Sequence, residues 1–334
     1  MTIGFGEHVS AAVWCACLAT FSMAVLPRGH SIEGPSAQVR AQGPNLTFTQ
    51  APHGEFQFDT GVLRGKLRAE GKSLGLSSVV HVPSGVTLSR GYGIFGHYRV
   101  FVANRRFGTA AWDWPSKAKL LDDGAVEVCW AEAQDCPFEL KATYRWRDPS
   151  SLDLVTEVKA QEDLPNFEAF LASYFSEAFT NSLVFVKQHP EGGKKPGFLA
   201  ATQPFGDWLM FPRDPVAVQI IKDGRWKVEP NPVDWVIMPE LDRPLGVRRD
   251  PSRGVTAVLM APPEDCFALS TPHQTEGHFS LYLSLFGKTI RAGETARART
   301  RLWVAENPSD QQILDRYQTY MNDLSRHTSE APGP

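Results

Sequence analysis

The sequence predicts an all-β protein, a twisted sandwich of antiparallel strands with one helix at its C-terminal end. Three observations carry that expectation. Apolar and polar residues alternate over most of the chain, turn-forming residues separate the alternating runs, and only the last stretch shows helical spacing. Composition agrees, since 9 Trp, 20 Phe and 7 Tyr stand beside 25 Pro and 27 Gly, as suits short aromatic-rich strands punctuated by turns. Lys and Arg total 34 against 37 Asp and Glu, with the signs interspersed, so no broad basic surface for nucleic acid is expected.

Residues 1–41 read as a signal peptide or other N-terminal targeting segment. Ala11 to Leu26 is an uncharged run of 16 residues. That is shorter than the roughly 20 a spanning helix needs and close to a long signal h-region. Residues 1–10 hold no Lys or Arg, and the best small-residue cleavage pattern, Val39-Arg40-Ala41, lies far downstream, so an uncleaved anchor is the alternative. Export would give a secreted or periplasmic protein starting between Pro27 and Gln42, with no stable membrane insertion once the segment is removed.

Residues 45–306 are expected to form one sandwich domain, because no repeat or low-complexity linker interrupts them. In Glu139 to Arg147, Leu140, Ala142, Tyr144 and Trp146 share one face and the charged or polar residues share the other. Ser151 to Ala160 repeats the pattern with Leu152, Leu154 and Val158 inward, and Asp148-Pro149-Ser150 between the runs is turn chemistry, so the two make a hairpin. Further strands are expected at Phe56 to Leu67, Tyr98 to Val102, Ala125 to Trp130, Val216 to Lys222, Val255 to Ala261, Phe279 to Phe286 and Thr295 to Val304. Over residues 307–325 Asn307 can cap a helix, Pro308 suits its first position, and Ile313, Leu314, Tyr317, Tyr320 and Leu324 form one apolar stripe to pack on the outside of the sandwich. Cys129 and Cys136 flank a polar turn, so a disulfide across that hairpin and two half-buried thiols are both open readings.

The segment from Cys266 to Val304, with its Ala292-Gly293-Glu294 turn before a last long strand, resembles the closing section of galactose mutarotase-like proteins, the aldose 1-epimerase superfamily. The resemblance implies a large antiparallel β-supersandwich with a concave, carbohydrate-facing sheet. That fold is shared among epimerases, polysaccharide lyases and domains of glycoside hydrolases, and fold alone does not choose among them. Where the epimerases place a catalytic Glu at the end of the strand resembling Cys266 to Thr271, this chain has Ser270.

Acid and imidazole groups cluster just downstream instead, at His273, Glu276 and His278. His278, Ser280, Tyr282 and Ser284 alternate with Phe279, Leu281, Leu283 and Leu285, giving one polar face. Such a face suits proton transfer at a sugar by Glu and neutral His, while an exposed loop and a His-x-x-Glu-x-His metal site are the competing readings. Near the other end of the chain His97 and Arg99 alternate onto one face, and Trp112 and Asp113 pair a flat ring with a carboxylate, as in pyranose recognition or as in ordinary packing beside a turn. Catalytic roles are therefore expected for His278, Glu276 and His97, and substrate binding for Arg99, Tyr282, His273, Trp112 and Asp113. Glu177, Asp207-Trp208 and Asp234-Trp235 are weaker candidates. No phosphate loop, dinucleotide fingerprint, nucleophile elbow or paired zinc motif is present, so no cofactor or metal is expected. The expected function is that of an exported carbohydrate-active enzyme, a glycoside hydrolase, polysaccharide lyase or sugar epimerase; the alternative is a noncatalytic carbohydrate-binding protein.

Overall fold

The computed structural model describes residues 45–68, 73–89, 91–103, 105–191 and 193–329, and the expected targeting segment, with Cys15 and Cys17, lies outside them. Alternating sequence becomes sheet over most of this range, antiparallel except where Leu209 and Met210 pair in parallel with Val236 and Ile237. One sheet of nine strands runs in the order β14 (Gly197–Ala200), β13 (Asn181–Val186), β17 (Leu241–Arg249), β18 (Val255–Met260), β21 (Thr295–Glu306), β11 (Ser151–Ala160), β10 (Phe138–Asp148), β9 (Val126–Trp130) and β8 (Lys117–Leu120). A second of seven runs β16 (Val236–Ile237), β15 (Trp208–Pro212), β19 (Cys266–Pro272), β20 (Ser280–Ile290), β12 (Leu164–Tyr174), β6 (Gly96–Val102) and β7 (Arg105–Arg106). A five-stranded meander, β1 (Thr49–Gln50), β2 (Glu55–Asp59), β3 (Leu63–Arg68), β4 (Gly75–His81) and β5 (Val86–Thr87), completes the β structure.

The two larger sheets face each other across one apolar core. Leu140, Ala142, Tyr144 and Trp146 of β10 and Leu152, Leu154 and Val158 of β11 supply one side of it; Ala169 and Leu171 of β12 and Leu281, Leu283 and Leu285 of β20 supply the other. The β10–β11 hairpin forms in the register that the pattern requires, with Tyr144 opposite Leu154 and Trp146 opposite Leu152. Its turn is held by Asp148, whose Oδ1 accepts from the Ser150 amide and hydroxyl at 2.9 and 3.0 Å.

Two local expectations change, and one open reading closes. Val216 to Lys222, whose β-branched residues suggested a strand, is a short helix, α1 (Pro215–Ile221). Asp214 caps it by accepting from the Ala217 amide at 2.8 Å, and Pro215 occupies the first turn, so local capping outweighs the strand propensity of two Val and two Ile. The C-terminal helix, α2 (Asp310–Ser329), starts later than Asn307 because Ser309 and Gln312 cap it reciprocally, the Ser309 amide donating to the Gln312 side chain at 2.8 Å and the Gln312 amide to the Ser309 hydroxyl at 3.2 Å. Its stripe of Ile313, Tyr317 and Tyr320 covers Leu245, Val247, Val258 and Met260 on the outer face of the nine-stranded sheet. Cys129 and Cys136 carry free thiols. The β9–β10 hairpin forms, but it sets Cys129 opposite Lys141 and leaves Cys136 outside the paired strands, bonded through its backbone to Ala133.

Candidate functional site

The outer face of the seven-stranded sheet carries a second aromatic cluster, and the candidate site lies in it. Adjacent strands β6, β12 and β20 present Arg99, Phe170, Tyr174 and Tyr282 to this face. The placement of Arg99 depends on a β-bulge. Phe170 pairs with Arg99 and Leu171 with His97, so Tyr98 is an extra residue on β6 and the alternation resets there. Tyr98 and Arg99 both reach the outer face, whereas His97 turns inward.

Residues 213–238 fold back over part of this face. Ala217, Ile220 and Ile221 of α1 pack with Met210, Phe267 and Ala268. Trp226 follows on a turn anchored by Arg225, which is fully buried, meets Glu168 Oε2 at 2.9 Å and bonds Asp223 and the Asn166 carbonyl. What remains open is a cleft of ≈ 410 Å³, within the range of small-ligand sites. Its walls are mostly rings: Tyr98 stacks on Trp112 at 4.3 Å and 3°, Tyr92 leans on Trp112 and Tyr174, and Trp208, Trp226 and Trp235 close the far side. Beside Tyr92, a Cβ added at Gly93 would lie 2.2 Å from the Leu74 carbonyl oxygen and 2.6 Å from that of Leu76 in β4, so only glycine admits this approach.

His278 stands at the mouth, on the loop between β19 and β20. Its Nδ1 lies 2.8 Å from Glu276 Oε1, and its backbone amide donates to Oε2 at 2.9 Å. With Nδ1–H donating to the carboxylate, Nε2 is the basic nitrogen of the ring. The ring meets Trp208 edge-on at 5.3 Å and lies 6.3 Å from Tyr174. The backbone turns sharply here, with Phe279 at φ 47°, in the left-handed region that a bulky residue enters only when held. Arg248 holds it from within the sandwich, donating to the Ser280 and Gln274 carbonyls, to the Phe179 carbonyl and to the Thr271 hydroxyl. Burial pulls the Arg248 guanidinium down to about 9, with Tyr282 and Glu276 acting to raise it.

The cleft floor is electrostatically unusual. Tyr282 accepts from the Ser280 hydroxyl at 2.6 Å, and burial pushes its phenol up to about 12; burial and its tyrosine neighbours raise Tyr174 as well, so both stay protonated donors at neutral pH. Arg99 is 4% exposed, and its Nη2 donates to the Asn231 carbonyl at 2.9 Å and to the Tyr98 hydroxyl at 3.3 Å, while Nε and Nη1 have no protein partner. No Asp or Glu lines the cleft among the described residues.

Of the residues singled out from sequence, Arg99, Trp112, Tyr282 and His278 line this one cleft, with Glu276 attached through His278. His97 does not. It is buried between the sheets, bonds Thr156 Oγ1 at 2.9 Å and packs 5.3 Å from Trp130, and burial lowers its pKa to about 3, so it is a neutral core residue. The bulge at Tyr98 is the reason. Asp113 is exposed beside Trp112 and is not among the residues that line the cleft. His273 is buried behind the loop, 3.8 Å from Asp207, and is not brought together with His278. Among the described residues no group of three His, Cys, Asp or Glu side chains is placed to hold a metal ion. Glu177 borders a different hollow with Arg253, and Asp207 and Asp234 point outward, but their neighbours Trp208 and Trp235 belong to the cleft. Sequence reasoning missed Tyr92, Tyr98, Tyr174, Trp226 and Asn231. The density of aromatic residues beside Asp, Asn or Gly in loops was the available signal.

No protein-family model and no curated protein sequence matches the chain. Solved structures do. An α-N-acetylgalactosaminidase of Bifidobacterium bifidum is similar at 16% identity and a TM-score of 0.50 over 81% of this chain and 39% of that one, so the chain spans about two fifths of the enzyme. A putative aldose 1-epimerase of Escherichia coli K12 is similar at 11% identity and 0.45 over 78% of this chain and 100% of that one. A heparan sulfate lyase of Pedobacter heparinus is similar at 8% and 0.44, over 80% and 37%. At these identities the likeness is one of fold alone, an antiparallel β-sandwich.

Proposed function

We propose that the protein is an exported carbohydrate-active enzyme that binds a saccharide in the aromatic cleft and moves a proton with His278, oriented by Glu276. The observation that carries the reading is the cleft itself: stacked rings suited to pyranose C–H faces, with an imidazole fixed at the mouth by a carboxylate. Indole N–H groups of Trp226 and Trp235 lack protein partners and supply donors for sugar hydroxyls. Among the described residues no Asp or Glu lines the cleft and Glu276 joins it through His278, which disfavours hydrolysis by two facing carboxylates and favours a lyase or epimerase. In that chemistry neutral His278 takes a proton through Nε2, and Tyr174 and Tyr282, held protonated, donate to developing negative charge on oxygen.

The test is turnover across a panel of neutral and acidic oligosaccharides with wild type, His278→Ala and Glu276→Gln. Each variant is expected to lose roughly 100-fold in kcat while keeping the fold, the usual contribution of a positioned base. Full activity in both variants would place the chemistry elsewhere. Binding without turnover in wild type would favour a noncatalytic saccharide-binding protein, a reading that the carboxylate-free floor also supports.

A further inference from the structure

The unpartnered nitrogens of Arg99 lead to a class of ligand. A guanidinium carries five N–H donors and, buried, normally meets carboxylates or carbonyls with all of its nitrogens. The fully buried arginines obey that rule: Arg225, Arg248 and Arg301 each have every guanidinium nitrogen bonded, whereas Arg106, buried beside Arg99, also leaves its Nε without a protein partner. Arg99 engages only Nη2, and the N–H groups on Nε and Nη1 find no acceptor. No described carboxylate forms an ion pair with it. Its charged neighbour is Arg106, another buried cation, whose side chain bonds the Pro230 and Thr109 carbonyls and Tyr98 and whose pKa is lowered by burial and by Arg99. His278 at the cleft mouth is paired with Glu276. The deep end of the cleft is therefore positively charged and uncompensated.

The acceptor that Arg99 does hold is a stand-in. Asn231 is an exposed lip residue at φ 60°, and its carbonyl brings a partial charge where the guanidinium would better take a full one. We propose that the cleft takes a saccharide bearing an anionic group, a uronate carboxylate or a sulfate ester, whose oxygens pair with Arg99 in place of the Asn231 carbonyl. The inference rests on the saccharide reading of the cleft and names its substrate class. Arg99 and Arg106 both fasten the Pro230–Asn231 lip, so an anion that draws Arg99 away frees one of those ties and uncovers the donors that now lie beneath the surface.

The experiment is calorimetric titration of the full chain with oligogalacturonates against their methyl esters, and with sulfated against desulfated galactan oligosaccharides. The acidic member of at least one pair is expected to bind about 10-fold or more tightly than its neutral counterpart, with the preference shrinking as salt rises. Which pair discriminates identifies carboxylate or sulfate. Arg99→Met should bring the affinity for the acidic member down to that for its neutral counterpart, and Arg99→Lys should restore part of the difference. Equal binding of charged and neutral members, or a preference that survives Arg99→Met, overturns the anionic assignment and leaves the saccharide reading standing. Absence of binding by all four ligands overturns both.

Discussion

Arg225 and Arg99 are buried against one cluster of rings, Arg225 over Phe101 at 5.9 Å and Arg99 over Trp226 at 5.4 Å, yet their partners differ in kind. Arg225 meets two carboxylates. Burial pulls its guanidinium down, but Glu168 and Asp223 together hold it above its ordinary value. Glu168 goes the other way for a carboxyl: burial pushes it up, and Arg225 only partly offsets this, since Glu168 has one cation where Arg225 has two anions. Among the described residues Arg99 has no carboxylate partner. The difference teaches that residue type and burial do not separate a structural arginine from a binding one, whereas an account of every donor does.

The sharpest way to break the comparison is to remove the closed member. Arg225→Met leaves Glu168 buried without its cation and unties the turn that carries Trp226, so chemical denaturation should show a loss of about 3–5 kcal/mol. A loss below about 1 kcal/mol would show that the pair holds nothing up. Next in size is a pH effect on the strand that carries Arg99. His97 faces the core with a folded pKa of about 3, against about 6.5 when unfolded. Between those values the unfolded chain binds a proton that the folded chain refuses, so stability is full above about pH 6.5 and falls by up to about 1.4 kcal/mol per unit as pH drops towards 3. Unfolding midpoints measured from pH 7 to pH 4 should fall more steeply for wild type than for His97→Gln. Equal slopes would mean that His97 accepts a proton in place.

The fold was legible because period-two alternation survives in long strands, as β10 and β11 show residue by residue. What was not legible were the places where one residue resets a pattern. The bulge at Tyr98 moved His97 from the site to the core, and the Asp214-Pro215 cap turned an apparent strand into α1. His278 and Glu276 were found together because they are close in sequence, and Arg99, Trp112 and Tyr282 because each stands out by type. Trp226 and Asn231 were invisible because they belong to a chain excursion whose return across the sheet depends on the buried Arg225 contacts, a long-range event that no local pattern encodes.

The smallest effect separates the two arginines most cleanly. Arg99→Met removes two hydrogen bonds through Nη2 and the ring contacts with Tyr98 and Trp226. It also removes a buried charge without a counter-ion and the N–H groups on Nε and Nη1 that no protein atom accepts. The first losses are each on the order of 1 kcal/mol, and relief of the unmet donors is of similar size and opposite sign. Methionine fills comparable volume among the rings and contacts them favourably through sulfur. Stability of Arg99→Met should therefore stay within about 1 kcal/mol of wild type, and a gain would fit a site that carries strain for the sake of its ligand. A loss comparable to that of Arg225→Met would make Arg99 a structural residue, because its unpartnered nitrogens would then be tolerated for what Nη2 alone holds in place.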